Sequence, residues 1–373
     1  MPSYVVIGGG VLGASAAYHL AKAGAAVTLV DRADPGQATE AAAGIICPWL
    51  SQRRNKNWYR LAKAGAKYYP DLIAQLEKDG ETETGYKRTG ALSIHTDEEK
   101  LDKMQERALK RREDAPEIGE VKRLSATETH DMFPILDERF SAVYAGGAAR
   151  VNGKALRNCL LNAACKRGAK VIQGSARLLV EGRKVIGVEA GSHTLHADKT
   201  IVAAGAWAKD LFQPLGAAFQ VSHQKAQILH LKLQGMDTSS WPVVMPPNDQ
   251  YLLAFDGGRI IAGATHENTE AFDLRTTAGG IHEVLSKVLP VAPGLAEASL
   301  MDVKVGFRPF TPGFLPVIGA WPGYEGLLCA NGLGASGLTA GPFLGAELAR
   351  LALGRKTELD LSPYGLEQAI APL

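Results

Sequence analysis

The sequence predicts an α/β fold, α+β overall, in which a Rossmann-type parallel unit is joined to a mixed, antiparallel-sheet domain. Three observations predict it. Between Tyr4 and Asp31 an apolar strand, a glycine-rich turn, a helix and a second strand ending in an acid follow one another. Far downstream, the apolar run Thr200 to Ala204 again leads into a glycine, Gly205, as a strand returning to the first sheet does. Finally, Val221–Leu233 and Tyr251–Thr265 read as strands, the latter with a turn at Asp256-Gly257-Gly258, which suits antiparallel pairing.

The elements follow in order. Tyr4 to Ile7 is short, apolar and β-branched, as a buried parallel strand requires. A helix is expected from about Ala14 to Ala23, stopped by Gly24, and a strand from Ala26 to Val30. Asp34 to Trp49 is rich in small residues and poor in helix or strand signals. Helices are expected over Trp58–Asp79 and Glu98–Glu113, the second with a charged, solvated face, and Tyr86–Thr96 alternates like a strand. A further helix runs from Gly153 to Gly168, and a hairpin or small meander lies between Lys170 and Ala197. An amphipathic helix at about Thr276–Leu289, an apolar strand at Gly326–Ala330 and an apolar helix at about Pro342–Leu353 complete the chain.

A chain of 373 residues suits two domains, or one large domain with insertions. With 41 basic against 39 acidic side chains, the balance is near neutral and does not point to nucleic acid. Cys47, Cys159, Cys165 and Cys329 form no CxxC pair, so no metal is expected and reduced thiols are. No cationic segment precedes the first apolar run, and no stretch reaches the length of a membrane span, so a cytoplasmic location is expected.

Gly8, Gly10 and Gly13 fit GxGxxG with a strand before and a helix after. Gly8 permits the tight turn, Gly10 a close approach of the backbone to a pyrophosphate, and Gly13 close packing of helix on strand. The helix N-terminus stabilises the pyrophosphate charge. Asp31 can accept hydrogen bonds from both ribose hydroxyls of an adenosine and repels a 2′-phosphate. Dinucleotide binding follows; the fingerprint alone does not separate FAD from NAD.

Five motifs do. VVIGGGVLGASAAYHLAKAGAAVTLVDR opens the chain, followed by QATEAAAGIICP (Gln37–Pro48), TIVAAGAWAKDL (Thr200–Leu211), GFRPFTPGFLPVIG (Gly306–Gly319) and ANGLGASGLTAGP (Ala330–Pro342). In this order they resemble the D-amino-acid oxidase and glycine oxidase superfamily of FAD-dependent oxidoreductases, which includes sarcosine oxidases and D-amino-acid dehydrogenases. The resemblance covers nearly the whole chain. It implies a discontinuous FAD-binding domain (1–84, 146–215 and 305–373) and a substrate-binding domain (85–145 and 216–304).

The resemblance also implies residue roles. Around the fingerprint, Val11, Leu12 and Arg32 join the glycines and Asp31 at the cofactor. Thr39 meets the pyrophosphate, and Ala43, Gly44 and Ile45 line the flavin ring. Ala176 meets adenine, with Ala204, Gly205 and Trp207 on the adenine-side strand and turn. Gly334, Gly337, Leu338 and Thr339 close on the ring, where backbone N–H groups stabilise charge on the reduced flavin. Gly306 falls near the position where monomeric sarcosine oxidases carry a flavin-linked cysteine, so FAD is expected to be noncovalent. Asp31 stands where the family commonly has Glu.

For the substrate, Arg308 matches the family arginine that holds a carboxylate through two parallel hydrogen bonds. Tyr251 matches a tyrosine of the substrate pocket, with a buried sheet tyrosine as its other reading. His223, His266 and Trp49 are better read as structural. The implied reaction is hydride transfer from the α-carbon of glycine, sarcosine, a proline-like or a D-amino acid to flavin N5, and the imine formed hydrolyses. Oxygen or a quinone would reoxidise the flavin, and a homo-oligomer stays open. Three alternatives remain: a 2-hydroxy-acid dehydrogenase, a flavoprotein subunit of a heteromeric dehydrogenase or tRNA-modification partner, and a nicotinamide enzyme.

Overall fold

A computed structural model describes residues 1–372. Six strands form the first sheet, in the order Val317–Ala320, Leu327–Asn331, Lys199–Val202, Ser3–Ile7, Ala26–Asp31, Lys170–Gln173. All neighbours are parallel except the edge strand Val317–Ala320, which runs antiparallel. The central strand Ser3–Ile7 is covered on both faces, so four of its five residues are buried and apolar. One cover is the helix Val11–Lys22, whose buried Ala14, Ala16, Ala17 and Ala21 let it lie close to its neighbours. Against it packs the C-terminal helix Gly337–Ala352, where a Cβ on Gly345 would come 2.5 Å from the carbonyl oxygen of Leu12. The run Lys199–Val202 has indeed returned to the first sheet beside Ser3–Ile7.

The second sheet has nine strands and is mixed. Tyr251–Phe255 and Arg259–Gly263 form the expected hairpin across Asp256–Gly258, and Ser222–Lys232 pairs antiparallel with Arg259–Gly263. Val243–Met245 and Ala91–His95 supply the parallel pair. Along the far side of Ser222–Lys232 lies the strand Ser299–Phe310, in a register that sets Ala226 opposite Gly306 and Gln224 opposite Arg308.

Three expectations need correction. Lys170–Gln173 is the outer strand of the first sheet, and only Ala176–Glu181, Lys184–Ala190 and His193–His196 make the meander. The strand expected from Tyr86 begins at Ala91, because Gly90 takes φ +78° against the ring of Tyr144. The last helix starts at Gly337, before Pro342. The proline lies inside the helix, in its second turn, and the Pro342 carbonyl accepts a hydrogen bond from the Ser15 hydroxyl at 2.6 Å. Among the described residues no helix is long and apolar enough to cross a membrane, and no group of His, Cys, Asp and Glu could hold a metal ion.

Candidate active site

The strand end at Ile7 opens into the glycine turn because side chains are excluded there. Gly8 has φ +104°, and a Cβ on it would lie 2.4 Å from the Ala203 carbonyl oxygen. A Cβ on Gly13 would sit 1.9 Å from the carbonyl oxygen of Gly8. Gly13 therefore serves the packing of helix on turn and, unlike Gly8 and Gly10, does not face the cavity. At Gly10 the nearest atom to a Cβ is the Thr39 hydroxyl oxygen at 3.4 Å. That oxygen accepts the N–H of Val11 at 3.0 Å, leaving its own proton free to donate. Val11 and Leu12 continue the lining into the helix, whose first turn carries no acidic side chain.

Asp31 ends the neighbouring strand and is held on both oxygens. Its Oδ2 accepts from Gly9 N–H at 2.5 Å, and its Oδ1 accepts from Ala33 N–H at 2.6 Å and from Gln37 Nε2 at 3.0 Å. Arg32 pairs with Asp34 at 2.5 Å on the same rim. Ala176, with Gly174 and Ser175 before it, faces the cavity opposite Ala204, Gly205 and Trp207.

The middle of the cavity is bounded by Ala43, Gly44 and Ile45. Gly44, at φ +102°, lies under the Val151 carbonyl, which a Cβ would approach to 1.9 Å. The C-terminal loop closes over this segment. Thr339 Oγ1 donates to the Ile45 carbonyl at 2.9 Å, and Asn331 Nδ2 donates to the Gly205 carbonyl at 2.9 Å. Gly334, Gly337, Leu338 and Thr339 all line the cavity, at and just before the N-terminus of the last helix.

The nine-stranded sheet forms the remaining wall, with Ala226, Ile228, Tyr251, Gly306 and Arg308. Arg308 Nη1 donates to Gln224 Oε1 at 3.3 Å, and among the described residues no carboxylate pairs with it. Burial pushes the Tyr251 hydroxyl above its ordinary pKa, and the adjacent Arg308 cation pulls the other way. Tyr251 thus keeps its proton beside a guanidinium that, among the described residues, no carboxylate neutralises.

Every sequence-predicted site residue except Gly13 meets in this one cavity. Three others considered stand apart from its lining. His223 stacks on Phe272 at 4.2 Å, His266 lies 3.8 Å from Asp249, and Trp49 is buried with its carbonyl accepting from Arg111. Sequence reasoning missed Gln37, Gln224 and Asn331. Gln37 and Asn331 lie within quoted motifs, whereas Gln224 is found only through strand register.

The cavity holds about 1670 Å³ of empty space, its open mouth included, and runs from the glycine turn to the wall of the second sheet. FAD fits what lines it. There is a turn without side chains, a helix N-terminus with a free hydroxyl proton, an acid for a ribose, and small residues where a flat ring must lie.

Comparisons with known proteins agree. The family described as DAO, FAD dependent oxidoreductase, matches residues 3–351. An uncharacterized oxidoreductase of Bacillus subtilis (strain 168), YurR, is 66% identical over 372 residues, 100% of each chain. A crystal structure of iminodiacetate oxidase (IdaA) from Chelativorans sp. BNC1 superposes with a TM-score of 0.94 at 44% identity, covering 97% of this chain and 98% of that one. Glycine oxidase from Geobacillus kaustophilus superposes with a TM-score of 0.86 at 26% identity, covering 98% and 99%.

Proposed function

The chain belongs to the DAO family of FAD-dependent oxidoreductases, and from that premise we propose that it oxidises a small secondary amine bearing a carboxylate, of the iminodiacetate or sarcosine type. The observation that carries this reading is the guanidinium of Arg308, free of any acidic partner among the described residues, on the cavity wall beside Tyr251. Its fork receives the substrate carboxylate through two parallel hydrogen bonds, and the Tyr251 hydroxyl donates to the same group. The amine and α-carbon then lie toward Ala43, Gly44 and Ile45. Similarity to iminodiacetate oxidase along nearly the whole chain favours an N-carboxymethyl amine over a primary amino acid.

FAD, when bound, supplies the two-electron acceptor for the hydride leaving the α-carbon. Gly8, Gly10 and Thr39 hold the pyrophosphate, Asp31 the ribose, and Ala176 the adenine. Gly334, Gly337 and Thr339 present backbone amides to the ring edge. The imine formed is then hydrolysed to a 2-oxo acid and an amine. The cofactor is held noncovalently, since Gly306 offers no thiol and, among the described residues, no cysteine lines the cavity. Two domains would divide the work, with 1–84, 146–215 and 305–373 binding FAD and 85–145 and 216–304 binding substrate. Oxygen or a quinone then accepts the electrons, in the cytoplasm.

Product analysis tests the reading. Turnover of iminodiacetate should release glyoxylate and glycine in equal amounts, one pair for each acceptor molecule reduced. Release of no 2-oxo acid from any carboxylated amine would overturn it.

A further inference from the structure

We propose that Gln224 is a positioning residue that aims Arg308, and that its being a neutral amide is what keeps the arginine's charge available to substrate. The proposal rests on the reading of Arg308 as the carboxylate-binding group. Three neighbouring strands carry the arrangement. Gln224 pairs directly with Arg308 on one side and with Asn268 on the other, so the three side chains project from one face of the sheet. That face also bears Ala226 and Gly306, which line the cavity.

The contacts run in one direction. Asn268 Oδ1 accepts from Gln224 Nε2 at 3.1 Å, which turns the other end of the amide, Oε1, toward Arg308 Nη1 at 3.3 Å. A guanidinium has five N–H donors and needs only two parallel ones for a carboxylate. Holding one of the others fixes the plane of the fork before substrate arrives. It also removes part of the rotamer entropy that a long free side chain loses on binding.

The chemistry of position 224 matters as much as its reach. A carboxylate there would orient the guanidinium equally well, but would form an ion pair with it and compete with the substrate. An amide orients without neutralising. The same physics explains why the acidic side chains nearby are engaged elsewhere. Asp273 lies 3.4 Å from the buried Lys225 and Glu267 lies 3.7 Å from it, while Asp249 is bound by Lys287 at 2.9 Å.

The test uses FAD-loaded holoenzyme and compares wild type with Gln224→Ala, Gln224→Glu, Asn268→Ala and Arg308→Ala. It measures KM and kcat for a carboxylated amine, flavin content, and the binding of acetate read from the flavin spectrum. Loss of the orienting bond should raise KM and weaken acetate about 10-fold in Gln224→Ala, with kcat within about twofold and flavin content unchanged. Gln224→Glu should be worse than Gln224→Ala, by about another 10-fold, although it restores the acceptor. Asn268→Ala should show a smaller effect of the same kind, about threefold, and none when added to Gln224→Ala. If Gln224→Ala does not fold, Gln224→Glu and Asn268→Ala carry the test. Gln224→Glu no worse than wild type, or loss of flavin with unchanged KM, overturns the proposal. An Arg308→Ala enzyme with normal KM and acetate binding sinks instead the reading of Arg308.

Discussion

The carboxylate of Asp31 accepts the backbone N–H of Gly9 at 2.5 Å, tying the end of one strand to the glycine turn of the next. The acid is thus fixed at the cavity rim by the loop it serves. Removing it leaves a buried amide without a partner and, on the proposed placement of FAD, the adenosine ribose without an acceptor. Asp31→Ala should weaken FAD binding about 10- to 100-fold, the effect of one to two charged hydrogen bonds, and Asp31→Glu much less. Fluorescence titration of stripped protein with FAD measures both.

The contact between Gly13 and Gly8 has no slack. Gly13→Ala places a methyl 1.9 Å from the Gly8 carbonyl oxygen, and neither the strand nor the helix can yield without moving the turn. Overpacking of this kind costs about 1–3 kcal/mol or more. Thermal melts should show a lower Tm, and the purified protein should carry less flavin per chain than wild type.

Arg308→Ala should raise KM for a carboxylated amine about 100-fold, since both arms of the proposed charged, bidentate contact go together. Arg308→Lys should recover part of the loss, because an ammonium supplies charge without the planar fork. Bound FAD should be unchanged in both, which steady-state kinetics and the flavin spectrum check side by side.

Acid should destabilise the fold through His19. Its Nε2 sits 2.6 Å from the Tyr68 hydroxyl, and burial holds the imidazole pKa down to about 3. His230 is held down to about 4 for the same first reason. Unfolded histidines take a proton below about 6.5, so the folded state gains nothing while the unfolded state does. The stability these rings permit is full above that pH and is lost as pH falls, toward about 4 for His230 and about 3 for His19. Tm should therefore drop between pH 6.5 and 5, before most carboxylates titrate, and His19→Gln should flatten that part of the curve.

How much of this was legible in the sequence follows from how far apart the cooperating residues lie. Gly8, Gly10, Gly13 and Asp31 act within one strand–helix–strand unit, so spacing alone exposed them. Thr39 and Thr339 lie in short motifs that keep their meaning without a register, and both face the cavity. Ser299–Phe310 escaped as a strand because its first residues, Ser299 to Asp302, are all exposed and give no alternation to read. Lys170–Gln173 looked like part of a hairpin because local turn signals say nothing of a partner found more than a hundred residues earlier. Gln224 was invisible for the same reason: its place beside Arg308 is a property of strand pairing across 84 positions. His223 and His266, read from the sequence as structural in preference to site residues, stand outside the cavity lining beside Phe272 and Asp249.

On the proposed reading, one cavity joins an FAD site to an arginine that selects carboxylated amines. Anaerobic mixing of the FAD-loaded enzyme with iminodiacetate, sarcosine and glycine, each beside its uncharged amide, and with 2-hydroxy acids tests it most directly. Bleaching of the flavin bands by the carboxylated amines, fastest with the secondary ones and about 100-fold slower with the amides, is the expected result. Equal bleaching by amides and acids, or reduction by a 2-hydroxy acid alone, would contradict it.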